Sequence, residues 1–371
     1  MRVFLWVMFA IFAGGVFAQA ATPPTITADN VRSLTLARIV TMDTFTPAEA
    51  EHPPQPLSGW FALSPDGQYA ATIVAGGTTV FNTADGRIVA QLVRRDPVEL
   101  DRWSTAIDVD WSDASDHYAL LLREGETNVV YVAGLDGTIH QQTAPAEYGM
   151  PVRVWIDAED TGTVWIETIP DPSAEAPGGH NVVRLTVTDD ATDGDPQAIP
   201  TGPEADFDSV VRIGRILPPR AITATFNGTV RLWDLQTGEV TAEVTLPVLP
   251  TFGRVNETNG EQFAWRDEFS EALHLLDFTT GEDRVIAPLH GEYVQALLLT
   301  PDADVILAVH RGYTPDITAW ISATGEEIAL GDYETSICSR VPDMIQLAHD
   351  GARLVIGCDG GFQVWEIAAD L

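Results

Sequence analysis

Lysine is absent from the sequence: all 20 basic residues are arginine, set against 54 aspartates and glutamates, for a formal net charge of −34. A balance this acidic repels phosphate backbones and offers no basic footprint, which excludes the usual routes to nucleic-acid binding. Anionic membrane surfaces are disfavoured for the same reason. The charge is read as keeping the surface soluble; the alternative reading is adaptation to high salt, where counterions screen self-repulsion. Convincing helical periodicity is missing over any three turns of the chain after its first 20 residues. Cysteine is scarce, with two residues, Cys338 and Cys358.

A single long apolar run is present, Val3 to Phe17, preceded by Arg2 and followed by small residues at Ala18 and Ala20 around Gln19. That is the order of a secretory signal, with cleavage expected after residue 20. The run is short for a membrane span, so no stable span is expected after cleavage; an uncleaved anchor is the alternative. No cysteine lies near the cleavage site, which argues against a lipid-anchored form. The mature chain, residues 21–371, is therefore expected to be exported: secreted, periplasmic or held in the cell envelope. In such a compartment two remaining cysteines pair, and a Cys338–Cys358 disulfide is expected to contribute about 2–4 kcal/mol. A reactive thiol pair or a metal site is the other reading of these cysteines, without C-x-x-C spacing or clustered histidine behind it.

What the sequence does hold is repetition. FNGTVRLWDLQTGEV (226–240) reads as two alternating runs joined by a tight turn, and its turn recurs. WDLQTG (233–238) is echoed by LDFTTG (276–281), WISATG (320–325) and FNTADG (81–86), with YVAGLDG (131–137) one residue longer. VVRLTVTDD (182–190) is the weakest copy and VWEIAADL (364–371) the last. Phe81, Tyr131, Leu185, Trp233, Leu276, Trp320 and Trp365 form one column, spaced by 50, 54, 48, 43, 44 and 45 residues. Upstream in the units lie strand, Asp-containing turn, strand patterns such as WFALSPDGQYAATIV (60–74) and QALLLTPDADVILAV (295–309). Strand-built repeats of this period indicate propeller blades, so the fold class is all-β.

SPDG (64–67), GTVRLWD (228–234) and HGEYV (290–294) together resemble the WD40-repeat family, over about residues 57–371. The resemblance implies a seven-bladed β-propeller of four-stranded antiparallel blades, forming a single domain over 21–371. The family's buried Asp-His-Ser/Thr-Trp tetrad is complete in no blade; in the blade of His290 and Trp320, Val309 stands where a hydroxyl is expected. The final unit offers only three strands before the chain ends. The spare alternating run VRSLTLARIV (31–40) is predicted to supply its outer strand and close the ring.

Chemistry is harder to find. GGTT (76–79) lacks the helix a phosphate loop needs, and no G-x-S-x-G elbow or paired histidine motif occurs. DDATDGD (189–195) partly fits a calcium loop through Asp189, Asp193, Gly194 and Asp195, but Ala191 breaks the pattern, so an acidic connecting loop is the preferred reading. No cofactor or metal site is assigned. Trp233, Trp320 and Trp365 follow the repeat and are read as packing anchors. Trp103 stands outside that column, in an inter-blade loop, and long loops cover 170–180, ending at His180, and 310–316, with His310, Arg311 and Tyr313. These five residues are the candidate partner-binding face. By family analogy the expected role is a non-catalytic scaffold for protein partners; the alternatives are a propeller enzyme with its site at the channel mouth, or an envelope assembly factor.

Overall fold

The alternating runs form strands because their β-branched and aromatic side chains suit a pleated surface, and the Asp- and Gly-containing stretches between them form turns. The structure is a computed structural model and describes residues 23–41, 56–74, 77–93, 105–157, 160–169, 181–187, 196–200, 209–214, 220–224, 228–247, 260–267, 270–289, 293–311, 316–332, 344–358 and 361–368.

A short 3-10 turn over Val31–Ser33 leads into β1 (Leu34–Thr41). Blade 1 follows with β2 (Pro56–Leu63), β3 (Tyr69–Val74), β4 (Gly77–Asn82) and β5 (Ile88–Val93). Blade 2 holds β6 (Thr105–Trp111), β7 (His117–Glu124), β8 (Thr127–Gly134) and β9 (Ile139–Thr143). Blade 3 holds β10 (Met150–Ile156), β11 (Thr163–Ile169), β12 (Asn181–Thr186) and β13 (Gln197–Pro200). Blade 4 holds β14 (Ser209–Gly214), β15 (Arg220–Ala224), β16 (Thr229–Asp234) and β17 (Glu239–Thr245). Blade 5 shows β18 (Gln262–Asp267), β19 (Ala272–Asp277) and β20 (Glu282–Pro288). Residues 248–259, where the other blades place their first strand, lie outside the described residues. Blade 6 holds β21 (Tyr293–Leu299), β22 (Val305–Arg311), β23 (Asp316–Ile321) and β24 (Glu326–Asp332). Blade 7 holds β25 (Met344–Leu347), β26 (Arg353–Cys358) and β27 (Gly361–Ile367).

Each blade is an antiparallel meander in chain order, and β1 completes blade 7 in the order β1-β27-β26-β25. The chain is thus a seven-bladed propeller, closed as the sequence predicts: β1 pairs along β27 from Leu34 opposite Ile367 to Thr41 opposite Gly361. Register shifts recur in the first strand of a blade, at Ala106/Asp108, Pro151/Arg153, Val210/Arg212 and Val294/Ala296. Each such bulge adds local right-handed twist, which a propeller blade needs between its axis and its rim.

Apolar packing lies between blades. One buried cluster fills each junction around the ring, for example Val80 and Leu120 between blades 1 and 2, and Val355 and Phe61 between blades 7 and 1. The N-terminal segment joins the junction of blades 6 and 7, where Ile26, Val31 and Leu34 are buried beside Leu298, Leu307 and Ile356.

The repeated column falls on the third strand of every blade. Six of its residues sit opposite the second residue of the preceding strand, such as Trp233 opposite Ala221 and Trp320 opposite Ile306. Blade 2 departs by two positions: Tyr131 faces Leu120, and the equivalent position is Ala133, opposite Tyr118. There the large ring has moved to the second strand, and Tyr118 fills the junction against Trp111, with ring centroids 5.6 Å apart.

Candidate interaction face and channel mouth

The two faces of the disc are built differently. On one face lie the turns between first and second strands and between third and fourth strands. Most of these are short and several are held by their own side chains; the long one is the third-to-fourth connection of blade 3, from Thr186 to Gln197. Asp234 Oδ1 accepts from the backbone N–H groups of Gln236 and Thr237, and Asp277 Oδ1 does the same for Thr279 and Thr280. Ser64 Oγ donates to Asp66 Oδ1, and Thr300 Oγ1 donates to Asp302 Oδ1. The turn glycines at 238, 281 and 325 take φ near +70°, the left-handed conformation that a side chain resists. Arginines fasten these turns across blades. Arg353 bonds Glu366 through Nε and the Asp66 carbonyl through Nη1, and Arg284 Nη1 donates to the Ser322 carbonyl. The guanidinium fork makes both bonds at once, a use for which lysine is unsuited.

The opposite face receives the connections between second and third strands and between blades. The longer of these run from Thr41 to Pro56, Val93 to Thr105, Ile169 to Asn181 and Asp332 to Met344. Among the residues expected there, Trp103, His180 and Tyr313 lie outside the described residues. Arg311 is the last residue of β22, its backbone opposite Tyr293. His310 precedes it in the strand and is 3% exposed, its ring packed edge-on to Trp320 at 6.1 Å. β22 runs on through the H-R pair that the sequence suggests is loop, so His310 anchors the strand end and its imidazole is withdrawn from solvent. Of the two cysteines, Cys338 lies outside the described residues, and Cys358 ends β26 opposite Gly361. The acidic loop 189–195 and His290 also lie outside them.

Toward the axis, first strands of neighbouring blades meet without forming a sheet, and side chains serve the backbone groups left there. Asp108 and Asp110, alternate residues of β6, accept from the N–H groups of Val154 and Ile156 on β10 at 3.0 and 3.4 Å. Gln346 of β25 accepts from Leu63 N–H of β2 at 2.6 Å, and Trp111 Nε1 donates to the Ala62 carbonyl at 2.8 Å. These contacts stitch the inner rim, because a buried unpaired amide is costly.

Beside them sits Glu167 on β11, 5% exposed, with the Arg153 guanidinium Nε 3.7 Å from its Oε2. That oxygen is buried and accepts no hydrogen bond among the described residues. Burial pushes the carboxyl up to about 7, against the pull of Arg153 and with a further push from the Asp108 carboxylate. Asp113 is also held above the usual carboxylate range, by burial first and by the Asp157 carboxylate second.

A second polar group fills the side of blade 5. Asp283 on β20 accepts from Trp265 Nε1 of β18 at 2.9 Å and pairs with His274 Nδ1 of β19 at 2.9 Å. The Trp265 and His274 rings stack 4.1 Å apart. One carboxylate thus ties three strands together. Neither this group nor Glu167 is visible in the repeat, because each depends on which residues lie side by side across strands. No group of three or more metal-ligating side chains occurs among the described residues. No helix among them is long and apolar enough to cross a membrane.

No family model matches the sequence, and no curated protein matches it. Among solved structures, the β-propeller domain of Cps50 (Swd1) from Myceliophteria thermophila superposes with a TM-score of 0.59 at 10% identity, covering 84% of this chain and 97% of that one. The fold is that of a β-propeller. At this identity the likeness speaks for the fold alone. Within that fold the tetrad survives in part: in blade 4, Trp233 Nε1 donates to Thr223 Oγ1 at 2.9 Å. By register, the equivalent position in blade 6 is Ala308, one residue before the Val309 that the sequence suggests. In blade 7 it is Ile356. The indole N–H groups of Trp320 and Trp365 are accordingly buried without a hydrogen-bond partner among the described residues. In blade 5 that same position is taken by Trp265 itself, which explains why its hydrogen bonding is routed to Asp283 instead.

Proposed function

We propose that this protein is an exported, non-catalytic binding scaffold that engages a protein partner through the face carrying its longer connections. The observation behind this reading is the inequality of the two faces. Apart from the Thr186 to Gln197 connection of blade 3, one carries short turns, several of them closed by their own Asp, Ser and Thr side chains, while the other joins the same rigid strands through several longer segments. Loops on a rigid frame can vary in sequence without loss of stability, which is the usual division of labour in a binding protein. The WD40-type fold supports this reading by analogy.

Export rests on the signal-like N-terminus. Cleavage after Ala20 leaves the docked N-terminal segment intact, since its contacts begin at Thr25, whose Oγ1 donates to the Asp350 carbonyl, and Ile26, whose N–H donates to the Gly351 carbonyl. N-terminal sequencing of the exported protein tests cleavage directly, with Ala21 expected first. For binding, a tagged chain is used to recover its partner from native cells. Residues 94–104 and 170–180 are then replaced by Gly-Ser connections. Loss of the partner with an unchanged Tm is expected; retention of the partner through both replacements contradicts the assignment of the face.

A further inference from the structure

We propose that Arg266 receives a carboxylate of the bound protein, at the end of the blade 5–6 junction that opens on the face with the longer connections. The inference rests on the binding role given to that face and names one of its contacts. Arg266 is the penultimate residue of β18, beside the connection between the second and third strands of blade 5. It stands opposite Leu273 of β19 and, two residues past Ala264, shares that residue's side of the strand. Ala264 and Leu273 both pack into the buried cluster between blades 5 and 6, so the Arg266 side chain enters that junction. At the same end lie Val294, packed against the cluster, and His310, which pairs with Val294.

The guanidinium there is unanswered. Its Nε is buried without an acceptor, and Arg266 makes no hydrogen bond or ion pair among the described residues. The other partly buried arginines among them are all answered: Arg38 and Arg353 by Glu366, Arg231 by Glu243, Arg153 by Glu167 and Arg220 by the Gly260 carbonyl. Acids are not scarce, with 54 in the chain. The nearest in sequence, Asp267, points to the opposite side of the strand and accepts from Ser270 Oγ. Withdrawing a charged N–H from water without an acceptor is costly, and the cost is recovered when the acceptor arrives with a ligand. The guanidinium fork matches a carboxylate, whose two oxygens take two parallel N–H bonds. A net charge of −34 repels a phosphate polymer but admits a single carboxylate carried on a basic surface. The partner is therefore a protein whose contact surface is basic around one Asp, Glu or C-terminal carboxylate.

Acetate is the probe for the site itself. In the full mature chain the Arg266 Nε–H signal of a nitrogen-correlated NMR spectrum is identified by its loss in Arg266→Lys, which keeps the charge and removes the fork. Replacing chloride by acetate at constant ionic strength should move that signal along a saturating curve. The signal of Arg87, an exposed arginine of the short-turn face, should move less and without saturating. Arg266→Met keeps an apolar stem and removes the charge, and its Tm should equal or exceed that of the wild type, because no internal partner is lost. Recovery of the partner from native cells should fall at least about tenfold with Arg266→Met, and by less than about twofold with Arg87→Met. An Arg266 signal that ignores acetate, a Tm lowered by more than about 3 °C in both Arg266 variants, or undiminished recovery with Arg266→Met overturns the proposal. Where acetate saturates the signal but the wild-type chain recovers no partner, the carboxylate site stands and the binding role of the face fails.

Discussion

Ring closure by the N-terminal strand makes a quantitative demand on one residue. Leu34 begins β1, pairs with Ile367 and is buried in the junction of blades 6 and 7. Leu34→Ala removes three heavy atoms from that junction, and truncations of this kind cost about 2–5 kcal/mol. For a chain of 371 residues the unfolding entropy is roughly 0.8 kcal/mol per kelvin, so Tm should fall by about 3–6 °C. Arg32→Ala is the matched control, two residues away. Arg32 pairs with Glu326 across an exposed surface, with the two side chains 57% and 50% accessible, and such pairs contribute little. Its Tm should move by less than about 1 °C. Differential scanning calorimetry reads both. Removal of residues 23–41 should leave the β27 edge unpaired and lower Tm far more than either substitution, and a synthetic peptide of those residues should restore it. If Leu34→Ala matches the Arg32 control, or the peptide fails to rescue the truncated chain, β1 does not close the ring.

Three further outcomes follow from local geometry. Gly281 and Gly325 hold equivalent turns at φ +72° and +70°, but an added Cβ is unobstructed at Gly281 and would lie 2.4 Å from the Ile286 carbonyl oxygen at Gly325. Gly281→Ala should cost about 1 kcal/mol and Gly325→Ala more than about 2, which denaturant melts will separate. Thr223→Val strips the Trp233 indole of its acceptor in blade 4 and should cost about 1–2 kcal/mol, with a shift in tryptophan emission; no change in either would show that this bond carries no weight. The Glu167 carboxyl, raised from 4.5 to about 7, binds its proton more tightly in the folded chain. Its stabilising contribution of roughly 3 kcal/mol is therefore present below about pH 4.5 and is lost as pH rises through about 7. Glu167→Gln should flatten the stability profile of the wild type across that window, and parallel profiles would count against it.

Much of the architecture is written in local signals. The turn residues recur because the third-strand ends of blades 1, 4 and 5 share an Asn or Asp acceptor, at Asn82, Asp234 and Asp277, followed by a glycine with positive φ, so the period can be counted directly. The closing strand is legible because the last unit is one strand short and the run 31–40 alternates without a partner of its own. Register is less legible. In blade 2 the large ring sits on β7 as Tyr118 and the small residue on β8 as Ala133, a swap that preserves volume and hides the alignment. His310 reads as loop because a Gly follows two residues later, yet pairing with Val294 extends β22 past it. Glu167 with Arg153, and the Trp265–Asp283–His274 group, are juxtapositions between strands, and no spacing along the chain encodes them.

The most direct test of the central claim, a closed propeller that binds through one face, is cross-linking mass spectrometry on the tagged protein in its native cells. Carboxylate-reactive chemistry suits a chain without lysine and with 54 acidic residues. Inter-protein cross-links are predicted to concentrate on acidic residues of the longer connections, such as Glu49, Glu51, Asp96, Glu99 and Asp101. Residues of the opposite face, including Asp85, Asp136 and Asp302, should yield none. Reproducible cross-links from that short-turn face, with none from the connections opposite, would contradict it.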